Sequence, residues 1–154
     1  MALFELLVVE GFRILLAVLL AVIAQYFALK VFDRLTPGMS NLKEVRQGNA
    51  AVGILVGAVI LSVAIIVAEQ LETVIIPLQP GEWLEFATDY ASLLLAVGFT
   101  IVVQAMAYWL MARILRRGFN TTAEIKRGNV AVALLYGALL YSVTIIIQAG
   151  LPKA

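Results

Sequence analysis

The sequence Glu44-Val-Arg-Gln-Gly-Asn49 precedes nineteen uncharged residues, and the same pattern returns as Glu124-Ile-Lys-Arg-Gly-Asn129. At an offset of 80 positions, without gaps, 12 of the 23 pairs between residues 44–66 and 124–146 are identical. Such self-similarity is typical of a duplicated structural unit. We therefore predict two copies of one helical hairpin, residues 1–78 and 79–154, within a single membrane domain.

The composition places this duplicated unit in a membrane. The 154 residues are 63% hydrophobic and 14% charged, with a mean hydropathy of +1.01, whereas soluble domains are about half apolar and a quarter charged. Four segments approach the roughly 20 apolar residues that a spanning helix needs: 14–32, with residue 3 as the alternative start, 50–68, 90–112 and 130–147. The predicted fold is an all-α integral membrane protein, with two tandem hairpins of the same orientation and a pseudo-twofold axis along the membrane normal.

The basic residues predict how the helices are oriented. Nine of the eleven flank the first and third connections, and cytoplasmic loops carry the excess of Lys and Arg. Both termini are therefore expected on the periplasmic or extracellular side. The net charge of +1 gives no bulk field that attracts nucleic acid. The nine basic residues that flank the first and third connections are Lys30, Arg34, Lys43, Arg46, Arg113, Arg116, Arg117, Lys126 and Arg127.

A stripe of seven positions, spaced alternately by four and three residues, is identical in the two copies, whereas only five of the other sixteen positions match. This spacing is typical of a packed helix seam, and small residues allow close backbone approach inside a membrane. We predict that the stripe is the buried face of the second and fourth spans. These spans pack either on each other or each on its own hairpin partner. The small members are Gly48, Ala51, Ala58 and Ser62, and Gly128, Ala131, Ala138 and Ser142.

The repeated acids match a pattern for helix starts. Asn41 with Glu44, and Thr121 with Glu124, have the spacing of a capping box, in which the acid reaches back to the N-terminal residue. This pattern predicts that helices begin near residues 41 and 121 and continue through the Gly-Asn pairs into the membrane.

The amides have two possible roles. Asn49 and Asn129 are expected near the inner headgroup boundary, where a polar group needs a partner or a wet cavity. They either form interhelical hydrogen bonds or line a polar constriction at the cytoplasmic mouth of a pathway. Gln25 and Gln104, in the first and third spans, either make interhelical hydrogen bonds or contact a solute in a pathway, and the hydrogen bonds are the expected role.

The duplicated pattern resembles a known family. A Thr36-Pro37 turn, then Glu-x-x-x-Gly-Asn and an Ala/Val run, is similar to the YjfL family of small bacterial inner-membrane proteins, a domain of unknown function in two tandem copies. The second copy departs from it, because Arg116-Arg117 replaces Thr-Pro. The resemblance implies a multi-pass protein of the bacterial inner (plasma) membrane and supplies no activity or catalytic residue.

The chemistry of the side chains argues against an enzyme. The chain has no cysteine and no histidine, so thiolate and Ser-His-Asp chemistry are excluded, and we expect no catalytic residue, cofactor or metal. The expected partners are the lipid bilayer and other membrane proteins, or copies of the same chain. We expect an oligomeric module of a transport or channel system, or alternatively a structural or membrane-integrity protein that acts as an assembly partner.

Overall fold

A computed structural model describes residues 2–71, 82–115 and 120–150. These residues form four long helices and two short ones. The predicted boundary between residues 78 and 79, and Arg116-Arg117, lie outside the described residues. The helices are α1 (Ala2–Leu35), α2 (Asn41–Arg46), α3 (Ala50–Leu71), α4 (Trp83–Leu115), α5 (Thr121–Lys126) and α6 (Val130–Gly150).

The four long helices are long and apolar enough to cross a membrane, which confirms the predicted all-α membrane fold. Large apolar side chains such as Phe4, Leu95 and Ile146 are exposed, as contact with a lipid bilayer requires. α1 and α4, with 34 and 33 residues, are longer than predicted. At 1.5 Å per residue each is about 50 Å long, against a hydrocarbon core of about 30 Å, so both extend beyond the apolar layer.

α3 is the central helix of the bundle. Its most extensive contact is with α6, while α1 packs on α3 and α4 packs on both α6 and α3. α3 and α6 run parallel, because Asn49 contacts Lys126 at one end and Gln148 donates to Glu69 at the other. The two alternatives for the second and fourth spans are therefore combined, since each packs on the other and on its own hairpin partner.

The predicted seam is buried only along part of α3, where Ala58 is half-buried and Gly48, in the turn before the helix, is exposed. Ala51, Leu55 and Ser62 are buried on α3, but the equivalent Ala131, Leu135 and Ser142 are exposed on α6. The prediction of a buried stripe is thus wrong for α6, and Gly128 in the turn before it is exposed too. The reason is that α6 buries a different face, the one that carries Ala133, Gly137 and Thr144, with Gly137 against α3 and Thr144 bonded to α4.

Candidate functional site: helix joints and a basic cavity

The repeated Gly-Asn pairs lie between two helices at the end of the bundle where the connections 36–49 and 120–129 lie, which we call the basic end. Gly48 has a φ of +81°, a left-handed conformation that glycine adopts without strain. Its N–H donates to Val45 O at 3.0 Å, and the N–H of Asn49 donates to Glu44 O at 3.1 Å. These two bonds define a Schellman motif, which ends α2. Gly128, with a φ of +89°, ends α5 in the same way.

The asparagine after each glycine begins the spanning helix. Asn49 Oδ1 accepts from the N–H of Val52 at 3.2 Å, and Asn129 Oδ1 accepts from the N–H of Val132 at 3.3 Å. Both are N-cap bonds, which satisfy backbone donors that a helix start leaves open. The pattern Glu-x-x-x-Gly-Asn therefore encodes a joint that ends one helix and begins the next.

The repeated acids accept hydrogen bonds from the asparagines of the joints. The Asn49 side-chain amide donates to Glu44 Oε2 at 3.4 Å, and that of Asn129 donates to Glu124 Oε2 at 3.0 Å. Glu124 also pairs with the exposed Arg127 at 3.2 Å. Each acid holds the amide of its own joint in place, so the recurrence of both residue types has a structural explanation.

The capping boxes and the continuous helices predicted from the sequence are wrong. The N-caps are Ser40 and Asn120, one residue before Asn41 and Thr121, and Asn120 Oδ1 accepts from the N–H of Ala123. Glu44 and Glu124 are consequently fourth in their helices, beyond the third position that reaches the cap. The N–H of Asn41 donates instead to Asp33 Oδ1 at 2.9 Å, and the Thr121 hydroxyl bonds the Tyr136 hydroxyl at 2.9 Å.

The two joints differ in the hydrogen bonds that they make to the other repeat. The Asn49 amide also donates to Lys126 O at 2.9 Å and Ile125 O at 3.3 Å, which ties the first repeat to the last turn of α5. Among the described residues, the Asn129 amide donates only to Glu124. The contacts of Asn49 support the interhelical role over a polar constriction, whereas within the described segments Asn129 lacks the equivalent bond to the other repeat.

The two glutamines are placed differently. Gln104 is fully buried, and its amide donates to the Thr144 hydroxyl at 2.7 Å, so it joins α4 to α6. Gln25 is half-buried on α1, and no hydrogen bond of its side chain is found within the described segments.

A cavity of about 880 Å³ opens beside the joints at the basic end. It lies between the connection after α1, the end of α4 and the start of α5. Its lining includes three cations and no carboxylate among the described residues. From the sequence these cations are predicted as orientation signals that also contact anionic lipid, because the tertiary contact that brings them together is not visible in the pattern. The lining is Arg34, Leu35, Pro37, Gly38, Tyr108, Trp109, Ala112, Arg113, Asn120, Thr121, Thr122, Ala123 and Lys126.

Two of the cations are held by neighbours. Lys126 Nζ donates to Gly38 O at 2.7 Å, and the Arg113 guanidinium lies 5.1 Å from the centre of the Trp109 ring, within the range of a cation–π contact. Tyr108, which lines the cavity, contacts two other aromatic rings. Its ring centre lies 5.5 Å from that of Phe32 and 5.0 Å from that of Tyr136. The cavity wall is thus built on packed aromatic residues.

Comparison with known proteins gives one result. The family model of DUF350, a domain of unknown function, matches residues 5–151, and the chain belongs to this family. This agrees with the domain of unknown function expected from the resemblance, while the YjfL name and the tandem duplication stay predictions. No curated protein and no solved structure matches the chain.

Proposed function

We propose that this DUF350 member is a non-enzymatic, oligomeric module of a transport or channel system in the bacterial inner membrane. The observation that carries the proposal is the cationic lining of the cavity at the basic end. By the positive-inside rule this end is cytoplasmic and both termini are periplasmic. The cavity is then a mouth that faces the cytoplasm.

The charges of the cavity favour anions. Arg34, Arg113 and Lys126 line it together, and the described lining has no acid. A cleft lined by one sign of charge raises the local concentration of the opposite ion, because the low-dielectric walls focus the field. Small anions such as chloride or inorganic phosphate are therefore the class of solute we propose.

Anion flux from liposomes tests this proposal. We expect liposomes that contain the purified protein to release chloride or inorganic phosphate. The triple variant Arg34→Gln, Arg113→Gln and Lys126→Gln should lower the rate about tenfold or more, because it removes the focusing charge. The measurement is the initial rate with an ion-selective electrode, in protein liposomes and in empty ones.

A matched control removes equal charge from outside the cavity. Lys43→Gln with Arg46→Gln and Arg127→Gln neutralises three exposed residues at the same end and should leave the rate within about twofold, since long-range surface charge is screened by salt. Equal losses in both triple variants would contradict a specific role for the cavity. No release by the unmodified protein would reject transport of these anions.

The alternative is a structural or membrane-integrity role as an assembly partner without transport. It is favoured by the extensive contact between α3 and α6, two helices that carry fully buried side chains such as Ala51, Leu55 and Leu140. A protein that forms oligomers but releases no ion in the liposome assay would favour this role.

A further inference from the structure

The two repeats pack through unlike faces of their equivalent helices. We define the stripe face as Ala51, Leu55, Ala58 and Ser62 on α3, and Ala131, Leu135, Ala138 and Ser142 on α6. We define the glycine face as Gly53, Gly57 and Ala64 on α3, and Ala133, Gly137 and Thr144 on α6. These residues correspond at the offset of 80 positions.

Inside the chain, the stripe face of α3 meets the glycine face of α6. A Cβ at Gly137 would lie 3.4 Å from Ala58 Cβ and 3.8 Å from Ile54 Cγ2. This spacing is close van der Waals contact, the kind of approach that small residues permit between membrane helices. The chain therefore displays, at Gly137 and Ala58, one example of how the two faces meet.

The other two faces are left open. On α6 the whole stripe face is exposed, and on α3 Gly53 and Gly57 are half-buried. A Cβ at either glycine would meet nothing within 4 Å. The chain thus carries an unoccupied stripe face at one side and an unoccupied glycine face at the other.

The joints give an independent sign of the same missing contact. Where the stripe face of α3 is occupied, Asn49 donates to the carbonyls of Ile125 and Lys126 in the neighbouring repeat. Where the stripe face of α6 is open, Asn129 makes no such bond among the described residues. The equivalent carbonyls belong to Val45 and Arg46, which are exposed.

We propose that a second copy of this chain docks here, with its α3 glycine face on the α6 stripe face. Gly57 of the second copy then lies against Ala138 and Leu134, as Gly137 lies against Ala58 and Ile54. The Asn129 amide reaches the carbonyls of Val45 and Arg46 in that copy. The proposal specifies the interface of the oligomer on which the proposed function rests, and it does not depend on which solute crosses the membrane.

Unlike helix faces meet at each contact, and such contacts close into a ring when the rotation between copies allows it. In a ring of two copies the same contact is made twice about a twofold axis. Gly57 and Ala58 are adjacent, and adjacent residues point about 100° apart around a helix with 3.6 residues per turn. This angle lies between the corner of about 90° in a ring of four helices and that of about 120° in a ring of six. Each copy contributes two helices to the ring, α3 and α6. Two copies therefore make the ring of four helices, and three copies make the ring of six.

Disulfide cross-linking in native membranes tests the interface, since the chain has no cysteine of its own. We expect Gly57→Cys with Ala138→Cys, in one chain, to give dimers or trimers after oxidation with copper phenanthroline. The intrachain equivalent has its Cβ atoms 3.4 Å apart, near the mean of about 3.8 Å in disulfides. Both positions face open space, so both cysteines should be tolerated by the fold.

Three controls make the result decisive. Ala58→Cys with Gly137→Cys should form a disulfide within one chain, which verifies that oxidation works at this depth. Gly57→Cys with Met106→Cys, on the exposed side of α4, and Ala138→Cys alone should stay monomeric. Monomers from the test pair, with the intrachain control oxidised, would overturn the interface. Dimers from Ala138→Cys alone would show a contact between like faces and would also overturn it. Ion release from liposomes is measured separately, so failure of transport leaves this result readable.

Discussion

Gly137→Ile is expected to separate α3 from α6 and to destabilise the fold by about 1–3 kcal/mol or more, the range for overpacked cores. A single Cβ at this position already lies 3.4 Å from Ala58 Cβ, and isoleucine adds a branched side chain on top of it. α3 and α6 share the largest contact of the bundle, so the helices have to move apart. Unfolding in mixed micelles, followed by circular dichroism, measures the loss.

Gly57→Ile is the matched control, because Gly57 is the equivalent residue in the first repeat. A Cβ there meets nothing within 4 Å in the described part of the chain. At a dilution in micelles that keeps the chains apart, the same substitution should leave the stability of the single chain within about 0.5 kcal/mol. Equal destabilisation by both variants would mean that the repeats pack through like faces.

The second large effect is expected at the joints. Gly48→Val and Gly128→Val should each cost about 1–3 kcal/mol, because a β-branched residue is a strained outlier at positive φ. The cost comes from the backbone alone, since a Cβ at either glycine meets no neighbouring atom within 4 Å. Unfolding in the same micelles, with and without the substitution, measures it.

Gly48→Asn and Gly128→Asn separate backbone strain from side-chain size. Asparagine adopts the left-handed conformation more readily than other non-glycine residues, so these variants should lose less stability than the valine variants. If valine and asparagine are equally well tolerated, the helices run continuously through the Gly-Asn pairs, as the sequence alone suggested.

The spanning helices were predictable because membrane insertion depends on length and apolar content. The uncharged runs that begin at residues 50 and 130 match α3 and α6 closely, since a basic joint precedes each. The start of α4 was missed, and that of α1 was left open between residues 14 and 3, because these helices continue through the charged residues Glu85 and Glu10, outside the apolar layer. Hydropathy identifies the part of a helix in the membrane and leaves its ends undetermined.

The joints were misread for an identifiable reason. Glu44 and Asn41 match a capping box, and helical spacing continues smoothly through Gly48, so the pattern favoured one unbroken helix. The competing signal was the glycine itself, which is the commonest residue just past a helix end, followed by asparagine, a preferred N-cap. Because the Gly-Asn pair occurs twice, it favours a break between two helices over a glycine in the middle of one continuous helix.

The burial of the stripe was only half predictable. The same residue occurs at the equivalent positions Ala58 and Ala138, but this identity does not say which helix each residue contacts. In α3 the contact lies within the chain, and in α6 the stripe is exposed. Likewise, the cavity lined by Arg34, Arg113 and Lys126 depends on how three separate segments meet, which no local pattern contains.

The central claim concerns the stripe and glycine faces. The stripe face of α3 packs on the glycine face of α6 within the chain, and the stripe face of α6 packs on the glycine face of α3 in another copy. The most direct test is the mass of the complex in lipid nanodiscs, for the unmodified protein and for Ala138→Leu. We expect two or three copies for the unmodified protein. The variant should contain one copy with unchanged helix content, because its bulk is added to an exposed face. A single copy for the unmodified protein, or the same copy number for both, would contradict the claim.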